Sequence, residues 1–217
     1  MDLWENRAVS PTAKGNHVGK GSPLPLDRLG EQSAEGMMDI VPASSYPQEL
    51  EGHVILGDGV RLRIRPVRPD DEAGLEDLYS RLSELSAYQR FFTFRRRLPS
   101  DWYQHFANVD YRRRLALVAE WDTPNGPVLV GVGRYEPTDE ADVAEVALVV
   151  QDGWQGRGLG EALLAQVLAA AEARGIRRFR ALVLADNHRM LKLLTSRTNV
   201  LERKLEGGVV TLTFHAR

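Results

Sequence analysis

The chain has 217 residues, of which 43% are hydrophobic and 27% charged, and its formal net charge at pH 7 is -2. This composition is typical of a globular protein, and the small net charge excludes a global field that would attract nucleic acid or an anionic membrane. The chain has no cysteine, which excludes disulfides, catalytic thiols and cysteine-based zinc sites. No apolar run could span a bilayer and the histidines lack metal-binding spacing, so we expect a cytoplasmic protein with no metal, nucleic-acid or membrane partner.

Residues 1–50 differ in composition from the rest of the chain. They are rich in proline, glycine and serine and show no hydrophobic periodicity. Such a segment cannot bury enough apolar surface to fold, so we predict a disordered leader followed by one folded domain over residues 51–217. A docking segment is the functional alternative for the leader.

The folded part begins near His53 with a stretch in which apolar residues alternate with arginines. This alternation predicts a half-buried strand over residues 60–67, with Val60, Leu62 and Ile64 on one face and Arg61, Arg63 and Arg65 on the other. Asp70 and Asp71 follow at a helix N-terminus, where acidic side chains interact favourably with the helix dipole. Helical patterns then cover residues 71–82, 83–92 and 101–109.

The second half of the chain alternates between strands and helices. Residues 115–121 and 127–136 form a hairpin around Asn125-Gly126, a pair that tolerates positive φ. A nearly continuous apolar strand over residues 142–150 is expected at the centre of a sheet. A long helix over 158–175, a strand over 177–185, a helix over 187–196 and a final hairpin complete a mixed, mostly antiparallel α/β fold.

The loop between the central strand and the long helix reads Gln155-Gly156-Arg157-Gly158-Leu159-Gly160. Glycines at such a place expose main-chain N–H groups next to the positive end of a helix dipole, which favours a bound pyrophosphate. The dinucleotide fingerprint fails because residue 161 is Glu, and the Walker loop fails because no Gly-Lys-Ser/Thr follows. A third anion-binding pattern, Gln/Arg-x-x-Gly-x-Gly/Ala, is met by Gln155, Gly158 and Gly160. The alternative is a tight strand–helix turn that binds no ligand.

Glu145 lies on the same predicted strand face as Val143, Ala147 and Val149. Desolvation by apolar neighbours raises the pKa of a carboxyl group and makes it a better base near neutral pH. A carboxylate of this kind could take the proton of an amine nucleophile, directly or through water. The sequence pattern alone nevertheless favours a strand-end carboxylate that meets solvent or an arginine, as expected for the nearby Glu140 and Asp142.

The segment AEVALVVQDGWQGRGLGEALL resembles the coenzyme A motif of the GNAT superfamily of N-acetyltransferases, and the likeness extends over about residues 52–217. Within that superfamily, DGVRLRIRPVRPDDE, LSAYQRFF, VDYRRRLALVAE and NHRMLKLL are similar to the acetyltransferase domain of bacterial Pat-type protein lysine acetyltransferases. The resemblance implies an α/β (α+β) sheet with helices on both faces and a splay between strands 142–150 and 177–184.

The same resemblance implies the site residues. It makes Glu145 the catalytic base and acetyl-CoA the cosubstrate. The pantetheine arm would enter the splay and pair with main-chain groups of Leu148, Val149 and Val150, and the pyrophosphate would lie on Gln155, Gly156, Arg157, Gly158, Leu159 and Gly160. Asn187 would contact the coenzyme, although Asn at a helix start is commonly an N-cap.

Two positions depart from the superfamily pattern. Leu194 stands where many members have a tyrosine that protonates the leaving thiolate. Thr198-Asn199 replaces the Gly-Phe pair that usually closes the last helix, which we expect to lower stability and which puts the last hairpin in question. The basic clusters Arg95–Arg97 and Arg112–Arg114 are interpreted as solvated faces, with an acidic protein surface or a coenzyme phosphate as the functional alternative.

The resemblance implies transfer of an acetyl group to a lysine of a protein, for which an acyl-CoA synthetase is one candidate. The first alternative is the same chemistry on a small amine. The second is a non-catalytic acyl-CoA sensor, which would keep the glycine loop without needing Glu145. The oligomeric state is not indicated by the sequence.

Overall fold

The computed structural model describes residues 45–92, 98–140 and 142–217. Within these ranges eight strands form one sheet in the order β1-β2-β3-β4-β5-β6-β8-β7. The strands are β1 (Gly52–Ile55), β2 (Arg61–Pro66), β3 (Leu115–Thr123), β4 (Gly126–Pro137), β5 (Val143–Val150), β6 (Arg178–Leu184), β7 (Thr198–Glu206) and β8 (Val209–Ala216). All neighbours are antiparallel except β5 and β6, which confirms the predicted mixed, mostly antiparallel sheet.

Five α-helices of the described ranges cover the two faces of this sheet. They are α1 (Glu72–Ser80), α2 (Glu84–Phe91), α3 (Ser100–Ala107), α4 (Leu159–Glu172) and α5 (His188–Arg197). One apolar core contains residues of α4 and α5, and a second contains residues of α1, α2 and α3 on the opposite face. The predicted helices on both faces are therefore confirmed, whereas β1 is a strand that the sequence patterns did not identify separately.

The start of the described chain falls inside the predicted leader. Residues 48–50 form a 3-10 turn, and the ring of Tyr46 packs edge-on against that of Tyr111, with the ring centroids 5.8 Å apart. The hydroxyl of Tyr46 also donates a hydrogen bond to Glu51 at 2.8 Å. Residues 1–44 of the predicted leader lie outside the described residues.

Helix α4 packs against the middle of the sheet along one apolar stripe. Six residues of this stripe are at most 4% exposed: Leu159, Leu163, Leu164, Val167, Leu168 and Ala171. Two glycines of β4 allow this close approach, because an added Cβ would lie 3.0 Å from Val167 at Gly133 and 3.1 Å from Leu163 at Gly131. The stripe and the glycines together fix the distance between α4 and the sheet.

The parallel pair β5–β6 is short. Its register contains only Val143 with Arg178, Ala144 with Phe179 and Glu145 with Arg180. Beyond Glu145 the two strands no longer pair, although β5 continues to Val150 and β6 to Leu184. The predicted splay is confirmed, and it opens directly after the candidate base.

Arg65 is buried, although the predicted half-buried strand placed it with Arg61 and Arg63 on the face opposite the apolar residues. Arg65 is 5% exposed, and its guanidinium forms hydrogen bonds of 2.6 and 2.7 Å with both carboxylate oxygens of Asp71 and one of 2.7 Å with Glu120. Asp71 belongs to a 3-10 turn over Pro69–Asp71 that follows β2 and covers this face. The arginine is buried because two carboxylates from distant positions neutralise it, which a two-residue alternation cannot indicate.

The junction of α5 and β7 accommodates the departure at residues 198 and 199. The helix ends at Arg197, and Thr198 begins the strand at once. Thr198 is 2% exposed, and its hydroxyl donates a 2.7 Å hydrogen bond to the carbonyl of Leu194, one of the last carbonyls of the helix. The predicted final hairpin is present, since β7 pairs with β8 from Thr198 to Glu206.

Gly133 gives a test of the close packing between β4 and α4. We expect Gly133→Ala to lower the free energy of unfolding by about 1–3 kcal/mol, because the new methyl group overpacks a filled contact. Gly52→Ala in β1 is the matched control, since a Cβ there meets no described atom within 4 Å. Urea denaturation measures both, and equal effects at the two positions would contradict this account.

Candidate active site

The glycine loop lies between β5 and α4. Gly156 and Gly158 have φ values of 76° and 97°, in the left-handed region that favours glycine. A Cβ added to either residue meets no atom of the described chain within 4 Å, so the space in front of the loop is open. Gly158 is the N-cap of α4 and provides no side-chain cap for its first turn. The uncapped N–H groups and the helix dipole therefore face open space, an arrangement that binds anions.

The side chains of Gln155 and Arg157 hold the loop in place. The Gln155 amide donates to the Val150 carbonyl at 2.9 Å and to the Ser86 hydroxyl at 3.0 Å, and its oxygen accepts from Arg189 at 2.5 Å. The Arg157 guanidinium donates to Asp58 at 2.6 Å and lies 4.4 Å from the centroid of the Trp154 ring. Both predicted binding residues are thus tied to neighbouring elements of the fold.

Asp152, which the sequence patterns did not single out, fastens helix α2 to this loop. One of its carboxylate oxygens accepts from the Ser83 main-chain N–H at 2.8 Å, and the other accepts from the hydroxyls of Ser83 and Ser86 at 2.6 and 2.7 Å. Ser83 is itself the N-cap of α2. These contacts join residues 66 to 69 positions apart, so no local pattern could have revealed them.

The main chain of β5 presents groups to the gap. Gln151 N–H donates to Val130 of β4 at 2.9 Å. Because main-chain groups alternate in direction along a strand, Val149 points towards β4 as well, and Leu148 and Val150 point towards the gap. The Val150 carbonyl accepts the Gln155 hydrogen bond already described. Main-chain groups of Leu148 and Val150 therefore line the gap as expected, whereas those of Val149 point away from it and pair with β4.

Glu145 lies at the narrow end of the gap. In the sheet register it stands opposite Glu136 of β4 and Arg180 of β6. Its side chain is partly buried and forms no hydrogen bond or ion pair with any described residue. Burial raises the pKa of Glu145 above its ordinary value of 4.5, and the charge of Glu136 adds to the rise, whereas Arg90 and Arg180 oppose it. The expected burial and pKa shift of Glu145 are confirmed.

Glu136, a neighbour that sequence reasoning missed, has the opposite electrostatic environment. Burial alone would raise the pKa of Glu136, but Arg134, His105 and Arg114 hold it far below the usual range. The closest of these contacts is 2.6 Å, between Nη2 of Arg134 and a carboxylate oxygen of Glu136. The sequence could have indicated this pair, because Arg134 and Glu136 are two positions apart in an apolar strand and therefore lie on one face.

The remaining predicted residues have structural roles in this arrangement. The side chain of Asn187 caps α5, since its oxygen accepts from Met190 N–H at 3.1 Å. Leu194 is 1% exposed in the core. The N–H groups of residues 112–114 all donate to Asp110, at 2.7 to 2.9 Å, and Arg112 and Arg113 are exposed. Arg95–Arg97 lie outside the described residues.

None of the helices in the described ranges is long and apolar enough to cross a membrane. The same residues contain no group of three or more His, Cys, Asp or Glu side chains placed to hold a metal ion.

Comparison with known proteins gives consistent matches. The sequence model described as "Acetyltransferase (GNAT) family" matches residues 81–197. The "Acetyltransferase Pat" of Mycolicibacterium smegmatis is 31% identical over 148 residues, which cover 68% of this chain but only 44% of that relative. An acetyltransferase of Pseudomonas aeruginosa is 28% identical over 138 residues, covering 64% of this chain and 74% of the relative. The chain thus spans less than half the length of the Mycolicibacterium relative.

Among solved structures, the GNAT domain of S. lividans PAT has a TM-score of 0.71 and 38% identity, and the match covers 78% of this chain and 99% of that domain. A cAMP-binding acyltransferase from Mycobacterium smegmatis has a TM-score of 0.53 and 25% identity, with 89% of this chain and 54% of that protein covered.

The two carboxylates of the β4–β5 ladder should respond to pH with opposite signs. The raised pKa of Glu145 destabilises the folded state as pH rises through 4.5 and above, so Glu145→Gln should be more stable than the wild type at pH 7, with the difference vanishing below pH 4.5. The lowered pKa of Glu136 stabilises the folded state above 4.5 and loses that effect as pH falls, so Glu136→Gln should lose about 1–3 kcal/mol near pH 7 and less in acid. Denaturation at several pH values measures both, and the same sign for the two variants at pH 7 would contradict the assignment.

Proposed function

The chain belongs to the GNAT family of acetyltransferases, and on this premise we propose that it transfers an acetyl group from acetyl-CoA to the side-chain amine of a protein lysine. One observation carries the proposal. A partly buried carboxylate with a raised pKa, Glu145, stands where β5 and β6 separate, and an uncapped glycine loop lies at the far end of the same strand. A base and an anion site are thereby joined by one gap.

The coenzyme is proposed to lie along this gap. Main-chain N–H groups of Gly156, Gly158, Leu159 and Gly160 would bind the pyrophosphate at the positive end of the α4 dipole. Gln155 and Arg157 support the loop through the contacts described above. The segment Leu148–Val150 would pair with the pantetheine arm, through the groups of Leu148 and Val150 that face the gap. Asn187 at the start of α5 would contact the coenzyme from the other strand.

The reaction requires a neutral amine, because a lysine ammonium has a pKa of about 10.4 and cannot attack while protonated. Glu145 accepts the proton, directly or through one water, as the amine nitrogen bonds to the thioester carbon and the carbon–sulfur bond breaks. Main-chain N–H groups of β5 at the gap polarise the thioester carbonyl. Leu194 has no proton to donate, so the thiolate takes its proton from solvent.

Similarity to Pat acetyltransferases supports a protein lysine as the acceptor, and an acyl-CoA synthetase is one protein of this kind. A small amine is the alternative acceptor for the same chemistry. The chain spans less than half of the Mycolicibacterium relative, so the identity of the acceptor is proposed separately from the acetyl-transfer chemistry. A non-catalytic acyl-CoA sensor differs from both in needing no base at position 145.

Glu145→Gln separates the enzyme from the sensor. Loss of the general base should lower kcat/KM by about 10²–10⁴-fold, with little change in acetyl-CoA affinity. The wild-type kcat/KM should rise with pH through a pKa above 4.5, because only the deprotonated carboxylate accepts a proton, and the variant should lack this limb. Acetyl transfer to a panel of lysine peptides, followed by thiol release, measures both. Glu140→Gln, which changes a more exposed carboxylate, is the matched control and should retain activity. Full activity of Glu145→Gln would refute the assigned base.

The coenzyme site is tested by titrating acetyl-CoA into the protein calorimetrically. Gly158→Glu places a carboxylate in the cradle and should abolish the binding. Gly175→Glu is the matched control, because Gly175 also has a positive φ, 85° against 97°, and open space at its Cβ, but follows the opposite end of α4. Both variants should lose about 1–2 kcal/mol of stability through left-handed strain. Absence of saturable binding to folded wild-type protein would overturn the proposed function.

A further inference from the structure

The sheet face that carries Glu145 also carries buried hydrogen-bond donors without acceptors. Arg134 is 3% exposed, and only one of its three guanidinium nitrogens has a close acceptor, in a 2.6 Å ion pair with Glu136. Tyr79 of α1 is 6% exposed, and its hydroxyl lies next to the Arg134 guanidinium and has no acceptor in the described part of the chain. Two guanidinium nitrogens and one hydroxyl without an acceptor are thus gathered at one place.

Arg90, at the end of α2, adds a second cation to this place. Its guanidinium is partly buried and has no hydrogen bond or ion pair with the residues that the structure describes. It interacts electrostatically with Tyr79, Arg134, Glu136 and Glu145. Burial, together with the positive charge of Arg134, holds the pKa of Arg90 below its ordinary value. A cation in such surroundings is stabilised by a nearby anion.

The carboxylates of the protein do not supply acceptors for these donors. Glu136 is already shared by Arg134, Arg114 and His105. Glu145 must accept a proton in the proposed reaction and forms no hydrogen bond with Arg90 or Arg134. A buried donor without an acceptor lowers stability by about 1–3 kcal/mol, so a native site with several of them is suited to a ligand that supplies acceptors. A carboxylate fits, because its two oxygens match the in-plane N–H groups of a guanidinium.

The position of the cluster relates it to the reacting atoms. Arg134 is the β4 partner of Ala147, which lies between Glu145 and the gap-facing Leu148 on β5. Its guanidinium stacks on the Phe106 ring at 4.4 Å, which orients the plane of its donors. The donors therefore lie beside the place where the thioester and the amine are proposed to meet.

We propose that Arg90, Arg134 and Tyr79 form a subsite, named here the carboxylate subsite, for a carboxylate carried by one of the two reactants. The inference rests on the proposed acyl transfer and defines its substrate class. The bearer is either the acyl group, as in the thioester of a dicarboxylic acid, or the acceptor, as an acidic group beside the amine. The bonds exchanged are unchanged: the amide forms, the carbon–sulfur bond breaks, Glu145 takes the amine proton, and the carboxylate is conserved.

Two ratios, measured with the whole chain, show whether the acyl group or the acceptor carries the carboxylate. The first is the affinity for succinyl-CoA relative to acetyl-CoA, by calorimetry. The second is the kcat/KM for acetylating a peptide with glutamate beside its lysine, relative to the matched glutamine peptide. In the wild type, one of these two ratios should exceed ten. The same ratio should fall towards one in the Arg90→Gln and Tyr79→Phe variants. If both thioesters bind and both ratios stay near one, the subsite is refuted while the proposed function stands. If neither thioester binds, both the carboxylate subsite and the proposed function are overturned.

Stability separates a binding role of these groups from a structural one. Tyr79→Phe and Arg90→Gln remove donors that lack acceptors, so the melting temperature of the free protein should stay the same or rise. Tyr135→Phe is the matched control, because the Tyr135 hydroxyl donates to the Arg112 carbonyl at 2.9 Å and its loss should lower the melting temperature. A fall in Tyr79→Phe as large as that in Tyr135→Phe would show that the hydroxyl supports the fold, which would contradict the proposal.

Discussion

The pairing of β5 with β6 ends at Glu145, and the arrangement of the whole site depends on this break in the sheet. Three paired positions hold the strands together, after which the main-chain groups of β5 on that side have no strand partner. In a continuous sheet those groups would be used by the ladder and no chain-like ligand could enter. The connection from β5 to β6 runs through the glycine loop and α4, so the loop, the gap and the carboxylate follow one another along a single strand.

Packing positions the helices on both sides of this break. Helix α4 lies against β4 and β5 at a distance that admits no side chain at Gly133, and the same helix supplies the uncapped N-terminus behind the glycine loop. On the opposite face, Asp152 fastens the start of α2 to the loop, and the end of α2 brings Arg90 to the carboxylates. Helix α2 therefore connects the proposed coenzyme end of the gap with the end that carries the carboxylates.

Two glutamates face each other across the β4–β5 ladder and differ only in their partners. Glu136 is bound by two arginines and a histidine and remains a carboxylate, whereas Glu145 has the burial without the partners. The fixed charge of Glu136 adds to the proton affinity of Glu145, so the structural carboxylate helps to make its neighbour a base. The guanidinium groups of Arg90 and Arg134 and the hydroxyl of Tyr79 lie on the same face, where a carboxylate of a reactant would supply acceptors that the described residues do not provide.

Local patterns were sufficient for most elements of the fold and for the glycine loop. The stripe of α4, the Asn125-Gly126 hairpin and the strand that carries Glu145 each depend on neighbours within a few residues, and the period of apolar residues reports such neighbours. The burial of Arg65 and the contacts of Asp152, Arg134 and Arg90 could not be inferred in this way. Each depends on a partner from another element, because a charged side chain is buried only where distant groups converge to neutralise or hydrogen-bond it, and that convergence exists only in the folded chain.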